Sequence, residues 1–98
     1  MPADPTSDSI VVASKKALAS ALGGEVVLLE LDEGAYYSLN PVGAKIWEMI
    51  QAPIRLETVC GRLIEEYEVT EEECLRDVLK VVSDLLERGL AETRATLS

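Results

Sequence analysis

The stretch Gly24–Trp47, GEVVLLELDEGAYYSLNPVGAKIW, decides the fold. Glu25–Leu31 is a run of Val and Leu, residue types that suit a pleated, half-buried surface. Asp32-Glu33-Gly34 follows, and Gly34 can adopt the left-handed backbone that a three-residue hairpin loop needs. Ala35–Leu39 supplies the returning strand. With that loop, Leu31 faces Ala35, Leu29 faces Tyr37 and Val27 faces Leu39, which gathers these large apolar groups on one face. Tyr36, Val26 and Leu28 then form an apolar patch on the other. A one-residue slip would exchange the faces.

The second strand ends at Asn40-Pro41. Asn is a favoured N-cap and Pro suits the first helical position, so a helix is predicted from Pro41. Val42, Ile46, Met49 and Ile50 share one side of it, and Trp47 reads as a core aromatic. No segment obviously pairs with the outer edge of Ala35–Leu39, and an open strand edge is a template for another chain.

Outward from the hairpin, Ile10-Val11-Val12 reads as a short strand, after a polar tail expected to be disordered over residues 1–9. Ala17–Leu22 has helical local propensity but leads into a confident strand. An edge strand is preferred there, because a two-stranded hairpin alone is marginal.

A second helix is expected over about Leu56–Tyr67. Leu56, Val59, Cys60, Leu63, Ile64 and Tyr67 form its apolar stripe, and Arg55 stands where a capping Ser, Thr or Asp would help. Thr70-Glu71-Glu72-Glu73 fits a capping box opening a third helix to about Arg88, with Gly89 as its stop. Leu90–Thr93 is read as a short final strand, and residues 94–98 as frayed.

The third helix carries an oversized apolar stripe. At 100° per residue, Leu79, Leu86, Val82 and Val78 lie within about 60° of Leu75. Cys74, Leu85 and Val81 extend the stripe on one flank to about 120°, bordered by Asp77, Asp84 and Arg88. A surface helix needs a stripe of only ~100°, so something beyond the helical core should cover that flank.

The 98 residues make one domain, spanning about residues 10–93, and 48% hydrophobic content supports one modest core. A net charge of −9 argues against a nucleic-acid partner. The absence of histidine removes the usual general base and the commonest metal ligand. Cys60 and Cys74 form no CxxC and read as reduced, apolar thiols. The acidic run from Glu65 to Glu73 is helix capping and solvation, not a metal site. No phosphate-binding or nucleophile motif is present, so no catalytic role and no cofactor is expected. No signal peptide is visible and no apolar run could span a bilayer, which makes a cytoplasmic location, off the membrane, the default expectation.

These residues resemble the PqqD-like proteins, the RiPP precursor recognition elements, and among them the stand-alone B1 form of lasso peptide biosynthesis. The resemblance runs from about Val11 to Leu90. Its most specific piece is Tyr37-Ser38-Leu39-Asn40 through Gly43-Ala44 to Ile46-Trp47. It implies an α+β, winged-helix-like fold with a three-stranded antiparallel sheet followed by three helices, and it favours strand for Ala17–Leu22. It also implies that the leader segment of a precursor peptide adds as a strand to the edge of Ala35, Tyr36, Tyr37, Ser38 and Leu39, beside the third helix. Cys74, Val78, Val81 and Leu85 would then take apolar leader side chains. Asp77 and Asp84 would favour basic neighbours and Arg88 an acidic one. The partners implied are the leader, a separate leader peptidase of the B2 type, and a cyclase. Two alternatives stand beside this. One is a winged-helix DNA-binding or transcription-complex regulator, disfavoured because Glu71–Arg88 carries six acidic against three basic groups. The other is a dimer formed by pairing of two open edges.

Overall fold

A computed structural model describes residues 5–23 and 25–95. Its element order is β1 (Ile10–Ala13), β2 (Ala17–Leu22), β3 (Glu25–Glu30), β4 (Tyr36–Leu39), α1 (Pro41–Met49), β5 (Ile54–Arg55), α2 (Leu56–Glu66), α3 (Glu71–Glu87) and β6 (Ala91–Arg94). The fold is α+β. The expected three-stranded antiparallel sheet is β2-β3-β4, and a second small sheet, β5-β1-β6, lies beside it.

Each helix begins where the sequence places it. The Asn40 side chain accepts a hydrogen bond from the Gly43 N–H at 2.8 Å, and the Thr70 hydroxyl accepts one from the Glu73 N–H at 3.1 Å. Helix α2 starts at Leu56 although Arg55, its N-cap, makes no side-chain cap bond. Its first amides are satisfied from elsewhere: Leu56 N–H donates to the Ser9 carbonyl at 3.0 Å and Glu57 N–H to the Ser7 carbonyl at 2.9 Å. Residues 5–9, expected to be tail, thus form a turn that caps α2, closed by Ser9 N–H on the Thr6 carbonyl. Residues 1–4 and 96–98 of the expected tails lie outside the described residues, while Arg94 is the last residue of β6.

Ala17–Leu22 is a strand along its whole length against β3, with Ala17 opposite Glu30 and Leu22 opposite Glu25. Pairing with β3 overrides its helical propensity. The last strand closes back on β1, Val11 facing Thr93 and Ala13 facing Ala91.

The hairpin register differs from the one expected. Val26 faces Leu39, Leu28 faces Tyr37 and Leu29 faces Tyr36. The loop therefore holds four residues, Leu31–Gly34, and the pairing is one residue out from a three-residue loop. The Glu30 carboxylate makes the difference. It accepts from the Asp32 N–H and the Glu33 N–H, each at 2.8 Å, while the Gly34 N–H, at φ +74°, donates to the Glu30 carbonyl. The slip exchanges the faces. Leu28 and Leu39 are buried in the core, whereas Leu29, Leu31 and Tyr36 stand exposed on the outer face beside Leu18. The patch expected from Tyr36, Val26 and Leu28 is replaced by Leu18, Leu29, Leu31 and Tyr36.

The core lies between the inner face of β2-β3-β4, the strand β1 and the three helices. Leu28, Ile46, Ile50, Leu56, Leu63, Val78, Val82 and Leu85 are among its fully buried side chains. Glu30 is 5% exposed, so truncating it removes the acceptor for two turn amides and leaves a void. Glu30→Ala should lower unfolding free energy by about 1–3 kcal/mol in urea titration. A loss within a few tenths of a kcal/mol would show that the turn forms without that carboxylate.

Candidate functional site

Strand β4 pairs with β3 on one side only and is an edge of its sheet. Antiparallel pairs alternate between hydrogen-bonded and non-bonded positions. The Glu30 N–H donates to the Ala35 carbonyl at 2.7 Å, which sets the phase. Ala35, Tyr37 and Leu39 therefore turn their main-chain groups towards β3. Tyr36 and Ser38 turn theirs outward, to the open edge. Their side chains are exposed on the outer face, while Tyr37 is half-buried and Leu39 buried on the inner face.

Helix α3 lies against that inner face. Asp77, Val81, Asp84 and Arg88 fall at i, i+4, i+7 and i+11, on one stripe. Asp77 and Arg88 are exposed, Val81 and Asp84 half-buried. Cys74, Val78 and Leu85 are buried below them. The expected flank of Cys74 and Leu85 is thus not a surplus at the margin. Together with Val78 and Val82 it is the fully packed centre of the helix, whereas Leu75, Leu79 and Leu86 are only partly buried.

Tyr37 joins the two walls. Its hydroxyl donates to Asp84 Oδ2 at 3.1 Å, and the Arg88 guanidinium lies over its ring at 5.0 Å from the centroid. Burial pushes the Tyr37 hydroxyl above its usual pKa, the bond to Asp84 adds to that shift, and the Arg88 charge opposes it. This bridge fixes the spacing of β4 and α3 at one end. At the other end, Val42, Leu63, Tyr67, Val69, Cys74, Asp77 and Val78 line an apolar cavity of about 90 Å³. The structure thus brings Tyr37, Asp84 and Arg88 into contact and sets Cys74, Asp77 and Val78 around one hollow. Ala35 stands just before β4, at the loop. The contributions of Val42, Leu63, Tyr67 and Val69 to the hollow were not anticipated. Each carried only a signal of helix-face burial or none.

The arrangement offers main-chain hydrogen bonding, apolar contact and a few charges. Among the described residues no group of His, Cys, Asp and Glu side chains could hold a metal ion. The two cysteines are free and buried, with the Cys74 thiol 3.8 Å from the Cys60 carbonyl oxygen. Burial pushes the Cys60 thiol up to about 11, the neighbouring Cys74 adding to the shift, and burial raises Cys74 as well. No described helix is long and apolar enough to cross a membrane.

Comparison with known proteins places this geometry in a class. The family profile of coenzyme PQQ synthesis protein D (PqqD) matches residues 25–91, and the chain belongs to that family. Among solved structures it is similar to TbiB1 in complex with the TbiA(beta) leader peptide, with a TM-score of 0.76 and 29% identity over 87% of this chain and 99% of that one. It is similar also to lasso peptide synthetase B1 complexed with the leader peptide, with a TM-score of 0.69 and 26% identity over 84% of this chain and 96% of that one. No curated protein sequence matches it. The resemblance to PqqD-like recognition elements is therefore borne out.

The thiols give a direct check of the packing. With Cys60 lifted from 9.0 to about 11, its thiolate fraction at neutral pH falls about a hundredfold. The native protein should react with a disulfide reagent at pH 8 at least about a hundredfold more slowly than free cysteine, and both thiols should react promptly in denaturant. Fast labelling of the native chain would contradict the buried α2–α3 contact.

Proposed function

We propose that this protein binds the leader segment of a ribosomally made precursor peptide and has no catalytic step of its own. The leader adds as a strand along β4, bonding to the outward main-chain groups of Tyr36 and Ser38. Its side chains enter the groove between β4 and α3. The observation that carries the reading is the open edge of β4 running beside the Asp77–Val81–Asp84–Arg88 stripe. The support from relatives is that both similar solved structures are complexes with leader peptides.

Affinity in this mode divides into two parts. Main-chain hydrogen bonds along the edge hold any extended segment, and pockets for alternate side chains select among them. Ordering a flexible leader costs about 2–5 kcal/mol, so a few buried anchors must supply the surplus. The hollow at Cys74, Asp77 and Val78 suits one apolar anchor, and Val81 lies midway along the groove as a second contact. Leu85 supports the floor from within the core. Arg88, held over Tyr37, presents its charge to an acidic leader side chain, and Asp77 favours a basic one. Asp84 is engaged by Tyr37 and acts through the bridge. The bound leader, with its attached core, is then presented to a separate leader peptidase and to the cyclase of lasso peptide biosynthesis.

Two variants separate the two parts. Val81→Glu puts an unpaired charge into the groove and should weaken binding of labelled cognate leader at least about a hundredfold in fluorescence anisotropy, with a nearly unchanged thermal melt. Ser38→Pro removes an outward N–H without touching the ladder to β3, and should cost about tenfold or more. Undiminished binding by the first variant would remove the groove. Undiminished binding by the second would remove strand addition.

A further inference from the structure

Away from the β4–α3 groove, the end of α1, the 52–53 link, β5 and the first turns of α2 border an open cavity of about 310 Å³. Met49, Pro53 and Ile54 give it an apolar lining, and Arg55, Thr58 and Arg62 its polar lining. No carboxylate lines it, in a chain with eighteen acidic and nine basic residues. Arg55, Thr58 and Arg62 fall at i, i+3 and i+7, so α2 sets the two guanidinium groups along one side of the cavity.

Among the described residues neither arginine side chain forms an ion pair. The ion pairs among the described residues join Lys16 to Asp32 and Lys45 to Glu66. Both Arg55 and Arg62 are exposed. Arg55 also breaks a local rule. It occupies the N-cap of α2, makes no cap bond there, and sets a positive charge at the positive end of the helix dipole. A positive charge kept at that end of a helix, with no ion pair among the described residues, is the kind of departure expected where function overrides stability.

We infer that this cavity is a second docking site, for an acidic segment of a partner protein that carries an apolar side chain between its carboxylates. Charge complementarity selects the occupant. Most of the surface repels an acidic segment, and here two guanidinium groups offer forked donors to carboxylates. Met49 and Ile54 supply an adaptable apolar floor for the side chain between them. Because β4 and α3 contribute nothing to this cavity, the site can be filled while the leader groove is occupied, and the inference does not depend on what fills that groove.

The test uses the full chain and a blocked peptide of alternating glutamate and leucine as the probe, followed by amide chemical shifts. Saturable shifts confined to residues 49–62 are expected, with binding reduced about tenfold by Arg55→Ser combined with Arg62→Ser. Arg55→Ser alone should raise the melting temperature by a few degrees while weakening the probe, since it removes a positive charge from the positive end of α2, whose first amides the 5–9 turn already satisfies. A residue with only a structural role would not move those two readings in opposite senses. Absence of saturable shifts would overturn the inference, as would shifts centred elsewhere. Equal binding of a lysine–leucine peptide, or of an all-glutamate peptide lacking leucine, would overturn it too.

Discussion

The structure depends on one turn. The Glu30 carboxylate takes up the Asp32 and Glu33 amides and so fixes a four-residue loop between β3 and β4. Everything at the site follows from that register. It turns Leu39 and Tyr37 inward, where Leu39 enters the core and Tyr37 reaches Asp84 on α3. It also decides which main-chain groups of β4 point to the open edge. A slip of one residue would bury Tyr36 and Ser38, expose Tyr37 and Leu39, and unmake the bridge between strand and helix.

The bridge has a cost that the rest of the core offsets. A tyrosine hydroxyl and a carboxylate are held together at half-buried positions, where each loses some hydration, beneath the exposed Arg88 guanidinium. Below them Val78, Val82 and Leu85 pack without exposure against the sheet and the other helices. The rigid part of α3 is therefore its floor, and the part that meets solvent is a narrow stripe. This division places the groove-facing stripe at the margin of the packed core. It also explains why a small acidic domain can keep one sheet edge open: its stability rests on faces that the open edge does not touch.

Much of this was legible in the sequence. Asn40-Pro41 and Thr70 announce the starts of α1 and α3 through side-chain chemistry, and both cap bonds form. The open edge was legible from the lack of a pairing segment. The register was not, because VVLLEL places apolar residues at both parities, so either face could have been the buried one. Turn chemistry decided it, through a glutamate that reads as an ordinary surface charge. The turn at residues 5–9 left no trace because it caps α2 with main-chain carbonyls, which every residue possesses. The hollow beside Cys74 was hidden for another reason. Val42 reaches it from α1 while Tyr67 and Val69 reach it from the link between α2 and α3, and local periodicity does not report such convergence.

The central claim is that β4 offers an unfilled row of main-chain groups for a foreign strand to complete. Residue-resolved amide hydrogen exchange tests it directly. In the free protein the Tyr36 and Ser38 amides should exchange quickly while those of Tyr37 and Leu39 are protected by β3, and addition of leader should bring Tyr36 and Ser38 into protection. Protection of Tyr36 and Ser38 in the free chain, or their continued fast exchange in the saturated complex, would contradict it.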